Sequence, residues 1–187
     1  KLPSDQLAMI LKSFGELSNA KLIARKIVEE RAVSPFKYTD EFATRIEVCF
    51  HPKDRVKGLT CVFQAIRIAV NNELKYLSKA LVFAEKILRK GGIIAVVTFH
   101  SLEDKIVKDF GKIMSGKASS TNRYSPPTSK TSPSLLPVNK KPVVATIEEL
   151  DRNKRARSAK LRVYKKVSDS PSRFFATMEF PQIELGI

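Results

Sequence analysis

Residues 91–104, GGIIAVVTFHSLED, contain the pattern that decides the fold. The two glycines favour the left-handed residue that closes a helix, and the apolar run 93–99 predicts a strand covered on both faces. Ser101 is expected to cap a second helix, with Glu103 and Asp104 in its first turn. A helix, an inner strand of a parallel sheet and a second helix together predict an α/β fold.

His100 lies where this strand ends and the second helix begins. Ligands of open α/β sheets bind outside the carboxyl ends of strands, so His100 and Ser101 are candidate cleft residues. Position alone leaves a second interpretation of His100 open. It also fits a structural histidine that ties the end of the strand to a neighbouring loop.

The charge of the chain points to a polyanionic partner. Lys and Arg number 34 against 19 Asp and Glu, which gives a formal net charge of +15. Segment 152–166 concentrates this charge, and such cations release counterions from a phosphate backbone. A charged strand edge and a targeting signal are the alternatives. The candidate RNA-binding residues are Arg155, Arg157, Lys160 and Arg162.

Helical periodicity dominates the first half of the chain. Residues 1–50 are predicted to form a small helical module, and a loop at 51–58 joins it to one long helix over about 62–88. On that long helix Arg67 and Asn71 share a face with Gln64. These polar groups either line a cleft or make an ordinary contact between helices.

The second half is predicted to hold a mobile insert at 115–137, with a short edge strand near its end. Thr146 and Glu149 have the spacing of a capping box. Alternation of apolar with polar residues over 159–165 predicts a half-exposed strand, and the tail 167–187 has no clear periodicity.

Several classes of protein and site are not favoured. Two cysteines make no disulfide framework, which suggests a reducing compartment, and no apolar run approaches the roughly 20 residues of a membrane span. Cys49, His51, Cys61 and His100 fit no common zinc spacing, so no metal site is predicted. The glycines form no GxG phosphate loop.

Three motifs together resemble one family. They are FQAIRIAVNNEL at 63–74, TFHSLEDKIVKDF at 98–110 and RARSAKLRV at 155–163, with an HP pair at 51–52 before them. In this order they resemble the MraW/RsmH-type S-adenosylmethionine-dependent methyltransferases. The resemblance covers about residues 1–166 and implies methylation of N4 of a cytidine in small-subunit ribosomal RNA.

The resemblance also implies a domain organisation. Residues 1–58 would be most of a helical domain inserted late in a class I, Rossmann-like core. Residues 59–166 would be the C-terminal half of that core, followed by the tail. The expected cofactor is S-adenosylmethionine, and the expected partner is small-subunit ribosomal RNA or the small ribosomal subunit, without a membrane or a metal.

The chain also departs from the family's pattern. The family's cofactor-binding glycine loop precedes the region matched here, so upstream sequence is expected before Lys1. Asn153, Lys154 and Arg155 stand where the family has NPR. These differences favour a mitochondrial protein over a bacterial or plastid one. The alternative function is a non-catalytic RNA-binding factor for ribosome assembly that retains the methyltransferase fold.

Overall fold

The computed structural model describes residues 2–116 and 132–168, which form seven α-helices and one four-stranded sheet. This mixed architecture confirms the predicted α/β class. The helices are α1 (Ser4–Gly15), α2 (Ala20–Val33), α3 (Thr39–Ile46), α4 (Arg55–Asn71), α5 (Glu73–Ile87), α6 (Ser101–Met114) and α7 (Ile147–Arg152). The strands are β1 (Ile93–Thr98), β2 (Leu135–Pro137), β3 (Val143–Val144) and β4 (Lys160–Lys166).

The described residues form two compact units, and the first ends at Glu73. In the first unit α1 packs against α2 and α4. Gly15 allows this close packing, because a Cβ there would lie 2.9 Å from the carbonyl oxygen of Cys61. The predicted boundary at residue 58 falls inside α4. The buried core of the first unit includes Ile10, Leu11, Ile23, Ile27, Ile46 and Val62.

The prediction of one long helix over 62–88 is wrong, because the structure divides this segment into two helices at Asn72. This residue has a left-handed conformation, with φ of 51°, and separates α4 from α5. Asparagine adopts that conformation more readily than most residues. The apolar spacing continues through the break, so periodicity alone did not reveal it.

In the second unit β4 lies at the centre of the sheet and pairs antiparallel with each of the other strands. Thr98 stands opposite Lys160, and Ile93 opposite Lys165. The prediction of a parallel inner strand is therefore wrong for the described residues, where β1 has one neighbour and that neighbour is antiparallel. The short strand predicted near residue 135 is confirmed as β2.

The two faces of β1 differ in burial. Ile94 and Thr98 are buried on the face that packs against α6, whereas Ile93 and Val97 are 58% and 54% exposed. The expectation that both faces are covered is thus wrong within residues 2–116 and 132–168. The apolar run had suggested a doubly buried strand because its residues are apolar on both faces.

Strand β4 buries its polar face. Tyr164 and Lys166 are 4% exposed, whereas Leu161 and Val163, the apolar residues of the alternation, are half-buried. Polar groups enter an interior when each finds a partner. The Tyr164 hydroxyl donates to the carbonyl oxygen of Val107 at 3.0 Å, and the Lys166 ammonium forms an ion pair with Glu85.

Some predictions fall partly outside the described residues. Of the insert predicted at 115–137, residues 117–131 are not described, and of the tail predicted at 167–187 only residues 167–168 are. Thr146 does cap α7, accepting from the backbone N–H of Glu149 at 3.3 Å. In the part of the chain that is described, no helix has the length and apolar character to cross a membrane.

Candidate functional site

The turn between β1 and α6 is closed by His100, which is the N-terminal cap of α6. Its Nδ1 accepts from the backbone N–H of Glu103 at 3.4 Å, and the Glu103 carboxylate accepts from the N–H groups of Phe99 and His100 at 2.8 and 3.4 Å. This reciprocal arrangement is a capping box, with histidine in the place usually taken by serine or threonine. The turn thereby satisfies backbone donors at the start of the helix.

The expected cap, Ser101, is instead the first residue of α6. The side chain of His100 is 9% exposed, so burial and capping agree with the structural interpretation of this histidine. Contact of His100 or Ser101 with a ligand stays a prediction. Both residues follow the C-terminal end of β1, where that prediction requires them.

Asp104, in the first turn of α6, binds two of the predicted RNA-binding residues. The Arg162 guanidinium donates through Nε to Oδ1 at 2.7 Å and through Nη2 to Oδ2 at 3.1 Å. Nζ of Lys160 lies 3.5 Å from Oδ2. The side chains of Asp104 and Arg162 are 12% and 14% exposed, and that of Lys160 is 42% exposed. Arg162 is therefore engaged within the protein, while Lys160 remains partly open to solvent.

The ion pair shifts both titrating groups in the direction that favours charge. Hydrogen bonding from Arg162 lowers the pKa of Asp104 below its ordinary value, against the opposing effect of burial. The same hydrogen bond raises the pKa of Arg162. Both groups consequently remain charged at neutral pH.

Asp104→Asn is expected to destabilise the protein by about 1.5–3 kcal/mol at pH 7, because a charge-assisted pair is lost. Since the folded protein lowers the pKa of Asp104, the wild-type advantage is complete above the unfolded value of about 3.9 and disappears as pH falls through the folded value. Urea unfolding at pH 7 and below pH 3 measures this. Asp109→Asn, which disrupts a longer and more exposed pair with Lys112, is the control. An equal deficit at both pH values would contradict the assignment.

Arg155 and Arg157 lie in a 3₁₀ helix, Lys154–Ser158, directly before β4. Asn153 caps this helix by accepting from the backbone N–H of Arg155 at 3.2 Å, and Ala156 anchors it with 8% exposure. Both arginines are exposed, and across residues 2–116 and 132–168 neither side chain forms an ion pair. They are thus available to bind phosphate.

Arg67 and Asn71 lie at the C-terminal end of α4, in the first unit, and both bind Glu73. Nε and Nη2 of Arg67 donate to the two Glu73 oxygens at 2.8 and 3.1 Å, and the Asn71 amide donates at 3.2 Å. Gln64, the third residue of the predicted face, instead donates to the carbonyl oxygen of Phe14 at 3.4 Å. The role of Glu73 as a common acceptor was not predicted from the sequence. The four cleft candidates divide into this pair and the pair His100 and Ser101, which belongs to the second unit.

The comparisons with known proteins agree on one family. Residues 1–167 match the sequence profile of the MraW methylase family. Similar curated proteins include the ribosomal RNA small subunit methyltransferases H of Brucella ovis, 46% identical, and of Brucella canis, 45% identical, each over 173 residues. The aligned region is 91% of this chain and 50% of each relative. The chain thus spans about half the length of the curated relatives that it matches.

Proposed function

Because the chain belongs to the MraW methylase family, we propose that the protein transfers a methyl group from S-adenosylmethionine to N4 of a cytidine in small-subunit ribosomal RNA. The observation that carries the proposal is the identity of 46% to a relative named ribosomal RNA small subunit methyltransferase H. Two features of the second unit support it. They are the capped turn at the end of β1 and the exposed arginines that precede β4.

The proposed reaction makes clear demands on the protein. The exocyclic amine of cytidine is a weak nucleophile, so an acceptor must bind its N–H and hold the nitrogen in line with the methyl group. The base must also leave its stack to reach a pocket. In the second unit His100 and Ser101 are the candidates for lining that pocket. Arg67 and Asn71, in the first unit, stay cleft candidates from the sequence alone.

Three of the described glycines pack closely against the protein itself. A Cβ at Gly15 would meet the carbonyl oxygen of Cys61. A Cβ at Gly58 would meet the ring of Phe50, and one at Gly111 the ring of Tyr164. Gly91 takes a φ of 87° in the turn before β1, where its N–H donates to the carbonyl oxygen of Lys166 at 2.8 Å. We therefore assign none of the described residues to the cofactor.

The test is transfer of a labelled methyl group from S-adenosylmethionine to small-subunit ribosomal RNA by the full-length protein. Nuclease digestion and mass spectrometry then identify the modified position. We expect N4-methylcytidine in the product. RNA binding without transfer would contradict the proposal and favour the second candidate, a non-catalytic assembly factor. The exposed Arg155 and Arg157 are the observation that favours that candidate, because they can bind RNA whether or not transfer follows.

Neutralising Arg155 and Arg157 together, as Arg155→Gln with Arg157→Gln, is expected to weaken RNA binding. The slope of log affinity against log salt should fall in magnitude by roughly two, since each phosphate contact contributes about 0.7–0.9. Filter binding at several salt concentrations measures the slope. The pair Lys140→Gln with Lys141→Gln removes the same charge from exposed positions between β2 and β3. Equal slopes for the two double variants would place the RNA elsewhere.

The proposed location is the mitochondrial matrix, and the support is sequence alone. The chain differs from the bacterial family pattern at residues 153–155, and its two cysteines are both free. Fractionation of cells that express the full-length protein with a C-terminal tag tests the location. Recovery of the tag outside the mitochondrial fraction would contradict it.

A further inference from the structure

Asp104 joins two segments to which the proposed function gives different tasks. It lies in the first turn of α6, four residues after His100, and its carboxylate binds Arg162 and Lys160 of β4. β4 in turn follows the 3₁₀ helix that carries Arg155 and Arg157. One carboxylate therefore connects the capped turn to the basic segment.

We propose that Asp104 is a positioning residue for the methyl transfer proposed above, on which this inference rests. Through Arg162 it fixes the turn that carries His100 against the first residues of β4, and so fixes the turn relative to the segment that binds RNA. Asp104 acts through these neighbours and does not itself touch the substrate.

The geometry of the pair suits this task. The pairing of β1 with β4 ends at Thr98, opposite Lys160, and Thr98 Oγ1 adds a hydrogen bond to the Lys160 carbonyl oxygen at 3.3 Å. Beyond Thr98 the chain leaves the ladder. The two parallel bonds from Arg162 then fix both the distance and the orientation of Asp104, because guanidinium and carboxylate are planar. Their burial protects the pair from solvent and salt.

The same contacts divide the basic segment into two groups. Arg162 and Lys166 face the interior and bind Asp104 and Glu85. Arg155 and Arg157 are exposed, and Lys160 lies between the two groups. Its ammonium has three donors, and at 3.5 Å from Asp104 with a side chain 42% exposed it retains donors for a phosphate. Asp104 thus restrains Lys160 without neutralising the surface that meets RNA.

The test is steady-state methyl transfer by the full-length protein with Asp104→Asn. We expect kcat to fall about 10–100-fold, because a displacement of about 1 Å is enough for such a loss, while KM for RNA changes less than about threefold. Arg162→Lys, which keeps the charge but loses the planar fork, should produce the same split. Asp104→Glu should restore part of kcat. Asp109→Asn, on the same helix, should leave both constants unchanged.

Two results would overturn the inference. One is an unchanged kcat in Asp104→Asn. The other is a loss of kcat that matches the loss of folded protein at the assay temperature, because the pair would then be merely structural.

If the proposed function is wrong, the wild-type protein itself will transfer no methyl group, which separates this failure from a failure of the positioning role. Amide NMR shifts then decide the positioning role. Asp104→Asn and Arg162→Lys should both shift the amides of residues 99–101, with residues 165–166 unchanged. Unchanged amides at 99–101 would refute that role.

Discussion

Lys166→Met is expected to lower the free energy of unfolding by about 3–5 kcal/mol, the cost of leaving a buried charge without its partner. Glu85 is 1% exposed and Lys166 4% exposed, and the two side chains form an ion pair. The Lys166 ammonium also donates to the backbone carbonyl oxygen of Glu85 at 2.8 Å. Without Lys166, the Glu85 carboxylate would stay in an apolar interior with no cation to balance it.

Equilibrium urea unfolding at pH 7 measures this effect, and the chain offers a matched control. Lys165→Met changes the neighbouring residue of the same strand, which is exposed, and should alter stability by less than about 0.5 kcal/mol. The double variant Glu85→Leu with Lys166→Met should recover most of the loss, since replacing both members of a buried pair is often neutral. A loss below about 1 kcal/mol in the single variant would contradict the burial of this pair.

Gly111→Ala is the second large effect that we expect. A Cβ at Gly111 would overlap the ring and hydroxyl of Tyr164, which is itself 4% exposed and packs edge-to-face on Phe110. The ring cannot move aside without losing the hydrogen bond to Val107. We expect a net loss of about 1–3 kcal/mol, made of about 1–3 for overpacking and about 1 for the hydrogen bond, less about 1 that alanine gains over glycine inside a helix.

Thermal and urea unfolding test this prediction. Lys112→Ala changes the next residue of α6, whose side chain is 58% exposed, and should have little effect. Adding Tyr164→Leu to Gly111→Ala removes the overlap, so the second substitution should cost less in that background than in the wild type. Full additivity of the two substitutions would mean that Gly111 and Tyr164 do not restrict each other.

Local patterns predicted much of the fold. Helical spacing located the helices of the first unit, and turn chemistry located the start of α7 at Thr146. The apolar run before His100 predicted β1, because a short run of apolar, β-branched residues is typical of a strand. The helix–strand–helix pattern predicted the α/β class and placed His100 at the end of that strand, and the family motifs agreed.

Contacts between distant residues were not predictable in this way. Asp104 and Arg162 are 58 positions apart in the sequence, and Glu85 and Lys166 are 81 positions apart. No local spacing pattern therefore predicts either pair. The alternation in β4 was recognised, yet its buried face is polar because the partners lie on other elements. For the same reason the sequence indicated that Arg162 binds RNA, whereas the structure places it against Asp104.

The exposed face of the sheet, described above for Ile93 and Val97, has a consequence for colloidal stability. Along the described chain β1 leaves one edge without a neighbouring strand, and such an edge beside apolar side chains invites addition of a strand from another molecule. Lys165 stands on that face, and the net charge of +15 repels a second copy. Salt screens that repulsion. The cations that we propose to bind RNA would thereby also keep the protein dispersed, and the ionic strength that weakens their binding to RNA would remove this protection.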